Sequence, residues 1–359
     1  MVQACKLFTL ASLMLILVFP VARSTAADET NKPTYKPARN TQGHPDLQGT
    51  WDFRTLTPLE RPLVLGDKTV LSKEEGEAFV NQALAKIDVD QIKGLPAKFD
   101  VEIPYNTFWT DYGTDITEDR RTSLIVDPPN GRLPELTPLA YATLKTNTLH
   151  HPPVRDFLSL NTDNLTFRAA GPEVLGLSER CMVSYNAGPP LTPSIYNNIL
   201  RIVQSPGYVV IFTEMIHTAR IVPIDGRAHL PSEMTEWYGD SRGHWEGDTL
   251  VIETTNFTDK TPTYKLPLDL ANFERNGVVG RGKDMHLVER FTRDSDASLI
   301  YEYTVTDLVS FTKPFTVAVP MRATDDQIYE FACHEGNHAM ASILRGARTL
   351  EQEEAAAAR

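Results

Sequence analysis

From residue 207 onward apolar and polar side chains alternate in short runs, the period of strands that bury one face. Six runs, 208–222, 249–257, 286–292, 299–307, 315–321 and 327–332, each read as a strand. Successive runs are joined mostly by short turns. Parallel neighbours would need crossovers of about a dozen residues or more, so the runs predict an antiparallel meander. The expected fold class is mainly β: an antiparallel up-and-down sheet or barrel, decorated by loops and short helices.

The N-terminal region, residues 49–206, carries a different pattern. Ser72-Lys73-Glu74-Glu75 has the spacing of a capping box and predicts a helix through Ile87, with Ala78, Phe79 and Ala83 on its apolar side. Thr137-Pro138 predicts a second, short helix, Thr capping and Pro in the first position. Residues 122–127 read as a strand that stops at Pro128-Pro129-Asn130-Gly131. Residues 150–206 are rich in Pro, Asn and Gly and predict long ordered loops. Residues 27–48 predict a flexible arm, with order beginning at Gly49. At the other end, 339–347 predict a closing helix of the β domain (207–348), and 349–359 an acidic, Ala-rich tail. Gly49-Thr50-Trp51 and Gly243-His244-Trp245 resemble the Gly-x-Trp of the first strand in lipocalin-like barrels, so the expectation is an up-and-down sheet or a lipocalin-like barrel.

Residues 1–26 set the compartment. Lys6 precedes an apolar run, 7–19, too short to span a bilayer, and Ser24-Thr25-Ala26 fits signal cleavage, so a periplasmic or secreted protein without a membrane anchor is expected. Cys5 leaves with the signal. Cys181 and Cys333 remain, an even pair in an oxidising compartment, and predict a disulfide. The formal net charge is −12, and loss of the signal removes two further cations, Lys6 and Arg23. With no basic cluster to neutralise phosphates, a nucleic-acid partner is not expected. A small-molecule ligand or substrate is.

The candidate chemistry begins with His334-Glu335-Gly336-Asn337-His338, which satisfies H-E-x-x-H. A zinc hydrolase needs that pentapeptide on a helix, so that both imidazoles reach the metal, with a third ligand. Gly336 costs such a helix about 1 kcal/mol relative to Ala. Met340 and Leu344 stand where the metzincin extension has Gly and His. The zinc site therefore remains the lesser alternative, completed from afar by His217, His229 or His286, and metal-free chemistry is the main expectation. Gly239-Asp240-Ser241 resembles a serine nucleophile segment, but Arg242 follows and the Gly-x-Ser-x-Gly elbow is absent. The chain has no Walker loop, no dinucleotide Gly-x-Gly-x-x-Gly and no CxxCH, and no cofactor is expected.

The densest cluster is His217, Arg220, Asp225, Arg227 and His229, followed by Trp237, Asp240, Arg242, His244, Trp245 and Glu246. His, carboxylate and Arg gathered at strand ends suit acid–base catalysis. The expected catalytic set is His217 or His334 as acid or base, Asp225 or Glu335 orienting it, and Arg227 or Arg242 holding developing negative charge. His229, Trp237, Asp240, Trp245 and His286 are the expected substrate contacts. On one continuous strand His217 would share a face with Ile211, Thr213 and Met215, and strand ends could bring it to His286 and His334.

PDLQGTW, RTSLIVDPPNGRLPELTP, GDSRGHWEGDTLVIETTNFTDKT, ERFTR and EFACHEGNH together resemble a widespread group of secreted bacterial proteins of unassigned function. In that group the last motif commonly ends HEGNY, which implies that His338 is dispensable as a ligand. The resemblance implies secretion and singles out His334, Glu335, Asp240 and Trp245. The expected function is a cofactor-independent lyase, isomerase or hydrolase acting on a small apolar or aromatic molecule. Its alternatives are a non-catalytic binding protein of the same barrel type and a metal-dependent hydrolase.

Overall fold

Strands β1 (Gly49–Asp52), β2 (Ile125–Asp127), β3 (Ile199–Ser205), β4 (Tyr208–Thr213), β5 (Thr218–Pro223), β6 (Asp240–Glu246), β7 (Thr249–Thr255), β8 (Tyr264–Lys265), β9 (Val278–Val279), β10 (His286–Arg293), β11 (Ser298–Thr306) and β12 (Phe315–Ala323) follow in chain order in the computed structural model. The structure describes residues 35–87, 111–142, 171–174, 177–178, 180–184, 186–260, 264–265, 278–279 and 282–358. The expected signal segment and residues 27–34 of the expected arm lie outside them.

Ten strands form one antiparallel sheet in the order β5-β4-β3-β1-β12-β11-β10-β7-β6, with β2 added on β12, and the sheet curls into a nearly closed barrel. β8 and β9 pair separately. The alternation of β11 buries Leu299, Tyr301, Tyr303 and Val305, and that of β12 buries Phe315, Val317, Val319 and Met321. At roughly 1.5–3 kcal/mol for each fully buried large side chain, these faces drive closure. Trp51, Phe53, Phe257 and Phe291 join them in one core.

Sequence-distant strands complete the wall. β1 lies between β3 and β12, with Trp51 opposite Leu200 and Ala323. β2 uses the other end of the same β12 edge, Ile125 opposite Val317. β5 and β6 are the sheet's two outer strands and lie side by side without a ladder between them. A Cβ on Gly243 of β6 would fall 2.8 Å from Ile224 Cγ2 and 3.1 Å from Val222 Cγ1. Glycine there lets the two edges close by contact.

Helix α1 (Lys73–Ile87) starts as its capping box requires: Glu75 N donates to Ser72 Oγ at 3.2 Å and Ser72 N to Glu75 Oε2 at 2.8 Å. Residues 138–142 are helical, with Ala140 N donating to Thr137 Oγ1 at 3.2 Å. Cys181 and Cys333, 152 residues apart, form the disulfide the cysteine count predicts.

Several expectations are corrected. Residues 208–222 are a hairpin, β4 and β5, broken at Met215–His217, where Ile216 and His217 take φ of 61° and 52°. Neither is glycine, so the reversal carries no turn signature. Residues 327–332 make no ladder; Tyr329 N donates instead to the buried Glu214 Oε1 at 3.1 Å. β3 arises where loops were expected, and β6 already begins at Asp240, where a turn was expected before a strand at Trp245. Five of the seven β6 residues are polar, which hides its period. Helix α2 (His338–Ala357) runs on through most of the expected tail. Residues 35–48 are anchored rather than free: Leu47 is buried, His44 stacks on Trp245 at 5.0 Å, and Arg39 pairs with Asp248.

Candidate functional site

Loop 224–239 leaves β5, folds back over the outer face of the barrel and enters β6. Between loop and strands lies a pocket of about 210 Å³ whose wall carries Arg227, His229, Arg242, His244 and Glu253. Arg242 and Glu253 are register partners on β6 and β7, and so stand side by side on that face.

Asp240 organises the site. It is 7% exposed, and its Oδ2 accepts from Leu230 N at 2.9 Å and lies 2.9 Å from His229 Nδ1. Its Oδ1 accepts from Arg242 Nη1 at 2.5 Å. An ionised carboxylate only accepts, so Nδ1 is the donor in this contact and, in the neutral imidazole, Nε2 is the lone-pair nitrogen. Arg242 also donates Nε to Ala228 O at 2.9 Å, which ties the loop to β6. Nη2 of Arg242 and Nε2 of His229 have no hydrogen-bond partner among the described residues.

Asp240 follows Gly239, which takes a φ of +67° with its Cβ position 2.6 Å from Thr255 O. No side chain fits there. The Gly-Asp-Ser triplet is thus a strand entry, and Ser241 Oγ is buried against Thr254 Oγ1 at 2.8 Å.

Asp225 and Arg227 form an exposed pair at the loop's start. The Arg227 guanidinium beside it holds the Asp225 carboxyl down at about 2, chiefly through its hydrogen bonds. Arg227 also reaches Tyr208 Oη at 3.0 Å. His286, at the head of β10, lies with Nε2 3.8 Å from Glu253 Oε2. His244 Nε2 lies 3.2 Å from Glu246.

The remaining candidates are placed elsewhere. His217 sits exposed in the β4–β5 turn with its ring edge-on to Phe212 at 4.7 Å, because the chain reverses before it can share a face with Met215. His334 and Glu335 are exposed in the turn before α2. Among the described residues no hydrogen bond, ion pair or ring contact joins His217, His286 and His334, so the expected convergence is not formed. His334 and His338 do not share a helix: Asn337 caps α2, its Oδ1 accepting from Met340 N at 3.2 Å, and the helix begins at His338. Asn337 Nδ2 also donates to Cys181 Sγ at 3.4 Å. Cys333 to Asn337 thus acts as a disulfide followed by a helix cap, without the one-turn spacing a zinc helix needs. Trp237 is half-buried near the base of the loop, and Trp245 packs its ring between His44 and the core.

Neither a protein-family model, nor a curated protein, nor a solved structure matches this chain. The site is therefore read from its own geometry.

A second polar group lies inside the barrel. Arg220 of β5 donates both Nη atoms to Glu289 of β10, at 2.5 and 2.9 Å, and Tyr301 Oη donates to Glu289 Oε1 at 2.7 Å. Burial alone would lower the basicity of Arg220, but the charge of Glu289 and its hydrogen bonds together outweigh it and hold the guanidinium above its usual range. Burial, then the same charge, pushes the Tyr301 phenol well above 10. Leu191 N joins this network by donating to Tyr301 Oη at 3.0 Å. Periodicity places Arg220 and Glu289 on inward faces but cannot pair strands that are not neighbours.

Proposed function

We propose that the protein is a periplasmic or secreted enzyme that moves a proton on a small polar molecule without a cofactor. His229 is the acid–base group, Asp240 holds its ring in one orientation, and Arg242 faces negative charge that develops on the substrate. The observation that carries this reading is the buried Asp240 carboxylate, which engages His229 Nδ1 and Arg242 Nη1 together at the wall of a small pocket. A carboxylate on Nδ1 with Nε2 facing the reactants is the arrangement of general acid–base histidines on many folds.

The pocket also revises the substrate class. Sites for drug-sized ligands run to roughly 300–1,000 Å³. At about 210 Å³, and with two guanidinium groups, two imidazoles and a carboxylate around it, this one suits a smaller, polar or anionic molecule better than an apolar or aromatic one. The disulfide supports the compartment, since such bonds persist where conditions are oxidising.

The test is hydrogen exchange at carbon. The mature protein is incubated in D2O with a panel of small hydroxy and keto acids and sugars, and carbon-bound protons are followed by NMR. Wild type is expected to exchange at least one of them, and His229→Gln to slow that exchange by about 10²–10⁴-fold with its circular dichroism unchanged. Shifts of the His229 ring protons on ligand addition, without exchange or turnover of any panel member, would make the protein a binding protein instead.

A further inference from the structure

The His229 reading leaves one charged group of the pocket without a task. Glu253 projects from β7 on the outer face, opposite the loop that carries His229, and its side chain is 46% exposed at the pocket wall. Its register partner Arg242 spends Nη1 on Asp240 and Ser241 O rather than on Glu253. Among the described residues, the basic side chain beside the Glu253 carboxylate is the half-exposed His286, at 3.8 Å. One small space is therefore faced by an unconsumed carboxylate, an oriented imidazole and, beside that carboxylate, a guanidinium with a spare Nη2.

We propose that Glu253 is a second catalytic residue, and that the substrates are small α-hydroxy carbonyl compounds carrying an anionic group, interconverted by a 1,2 proton shift. This rests on His229 as the acid–base group. A carboxylate suits the carbon-bound proton and an imidazole the oxygen-bound one, a division of labour known from other carbonyl isomerisations. Glu253 takes the proton from the carbon that bears the hydroxyl, and the C–H electron pair becomes the C=C of an enediol. The carbonyl π pair moves onto its oxygen, to which His229 Nε2 delivers the proton it takes from the neighbouring hydroxyl. Glu253 then returns its proton to the former carbonyl carbon as the oxygen that gave up its proton forms the new C=O. Nothing is consumed, and no further reactant enters. Arg242 Nη2 holds the anionic group. His286 is a positioning residue that acts through Glu253.

The experiment follows deuterium incorporation from D2O into dihydroxyacetone phosphate, glyceraldehyde 3-phosphate and hydroxypyruvate, using wild type, H229Q, E253Q, E253D and H286Q. Wild type is expected to label the carbinol carbon, E253Q to slow labelling at least 100-fold, and E253D to retain part of it. H286Q is expected to shift the acid limb of the pH–rate profile while keeping the plateau. Labelling by E253Q at the wild-type rate, with H229Q inactive, would remove Glu253 and leave His229 standing. Exchange of other panel acids but none of these three would remove the isomerase assignment alone. Exchange of none at all would remove both readings.

Discussion

Arg220 and Glu289, 69 residues apart, face each other inside the barrel in a two-pronged ion pair, Nη1 to Oε2 at 2.5 Å and Nη2 to Oε1 at 2.9 Å. Glu289 is fully buried and the Arg220 side chain is 11% exposed. The pair links an outer strand, β5, to a strand that is not its neighbour in the sheet. It therefore acts where the ladder is missing.

Breaking one side leaves an uncompensated buried charge. Glu289→Ala is expected to cost about 3–5 kcal/mol, whereas Arg220→Met with Glu289→Leu should lie within about 2 kcal/mol of wild type. Urea unfolding at pH 7 measures both. A double variant as unstable as the single one would show that the charges themselves are required.

The seam gives a second prediction. Gly243→Ala places a methyl 2.8 Å from Ile224 Cγ2, so β5 and β6 must part or Ile224 must turn. A loss of about 1–3 kcal/mol is expected. Ile224→Val should recover part of it in the double variant, beyond the sum of the single effects. Strict additivity in thermal unfolding would rule out the contact as the cause.

Reduction is the third. The disulfide closes a 152-residue span and meets the cap of α2 at Asn337. Cys181→Ser with Cys333→Ser is expected to lose about 2–5 kcal/mol. Amide exchange should show α2 losing protection before the barrel strands do. Uniform loss across both would mean that the bond stabilises the chain without holding the helix in place.

Two carboxylates respond to pH in opposite senses. Asp225, held at about 2 by its hydrogen bonds to Arg227, contributes stability that is complete above the ordinary Asp value of about 4 and fades as pH falls towards 2. Carbon-13 titration should place it there, and Arg227→Ala should return it to about 4. Burial raises Glu214, so its ionisation destabilises the fold as pH rises through the ordinary Glu value. Glu214→Gln is expected to raise the Tm at pH 7, and the gain should vanish near pH 4. A gain that persists in acid would mean that the amide contributes something other than removal of a buried charge.

Much of the scaffold is legible in the chain. Alternation marks β7, β10, β11 and β12, because a strand with one dry and one wet face must repeat every two residues. Ser72 and Glu75 announce α1, since the donors they satisfy lie within four residues. Asp240, His229 and Arg242 stand out as chemistry-bearing residues, yet nothing in their spacing says that the carboxylate takes the imidazole. β6 is obscured because its outward residues are the polar wall of the pocket and its inward ones include Gly243, kept small for Ile224.

Local pattern by itself determined the antiparallel β class, the α1 cap and the cysteine pair, all of which rest on near neighbours or on a count. Tertiary structure decided the hairpin at residues 214–217, the seam at Gly243, the ion pair of Arg220 with Glu289, and the meeting of His229, Arg242 and Glu253 around one pocket. Alternation reports which face of a strand is buried. Only register and closure of the sheet determine what that face, or its opposite, will touch.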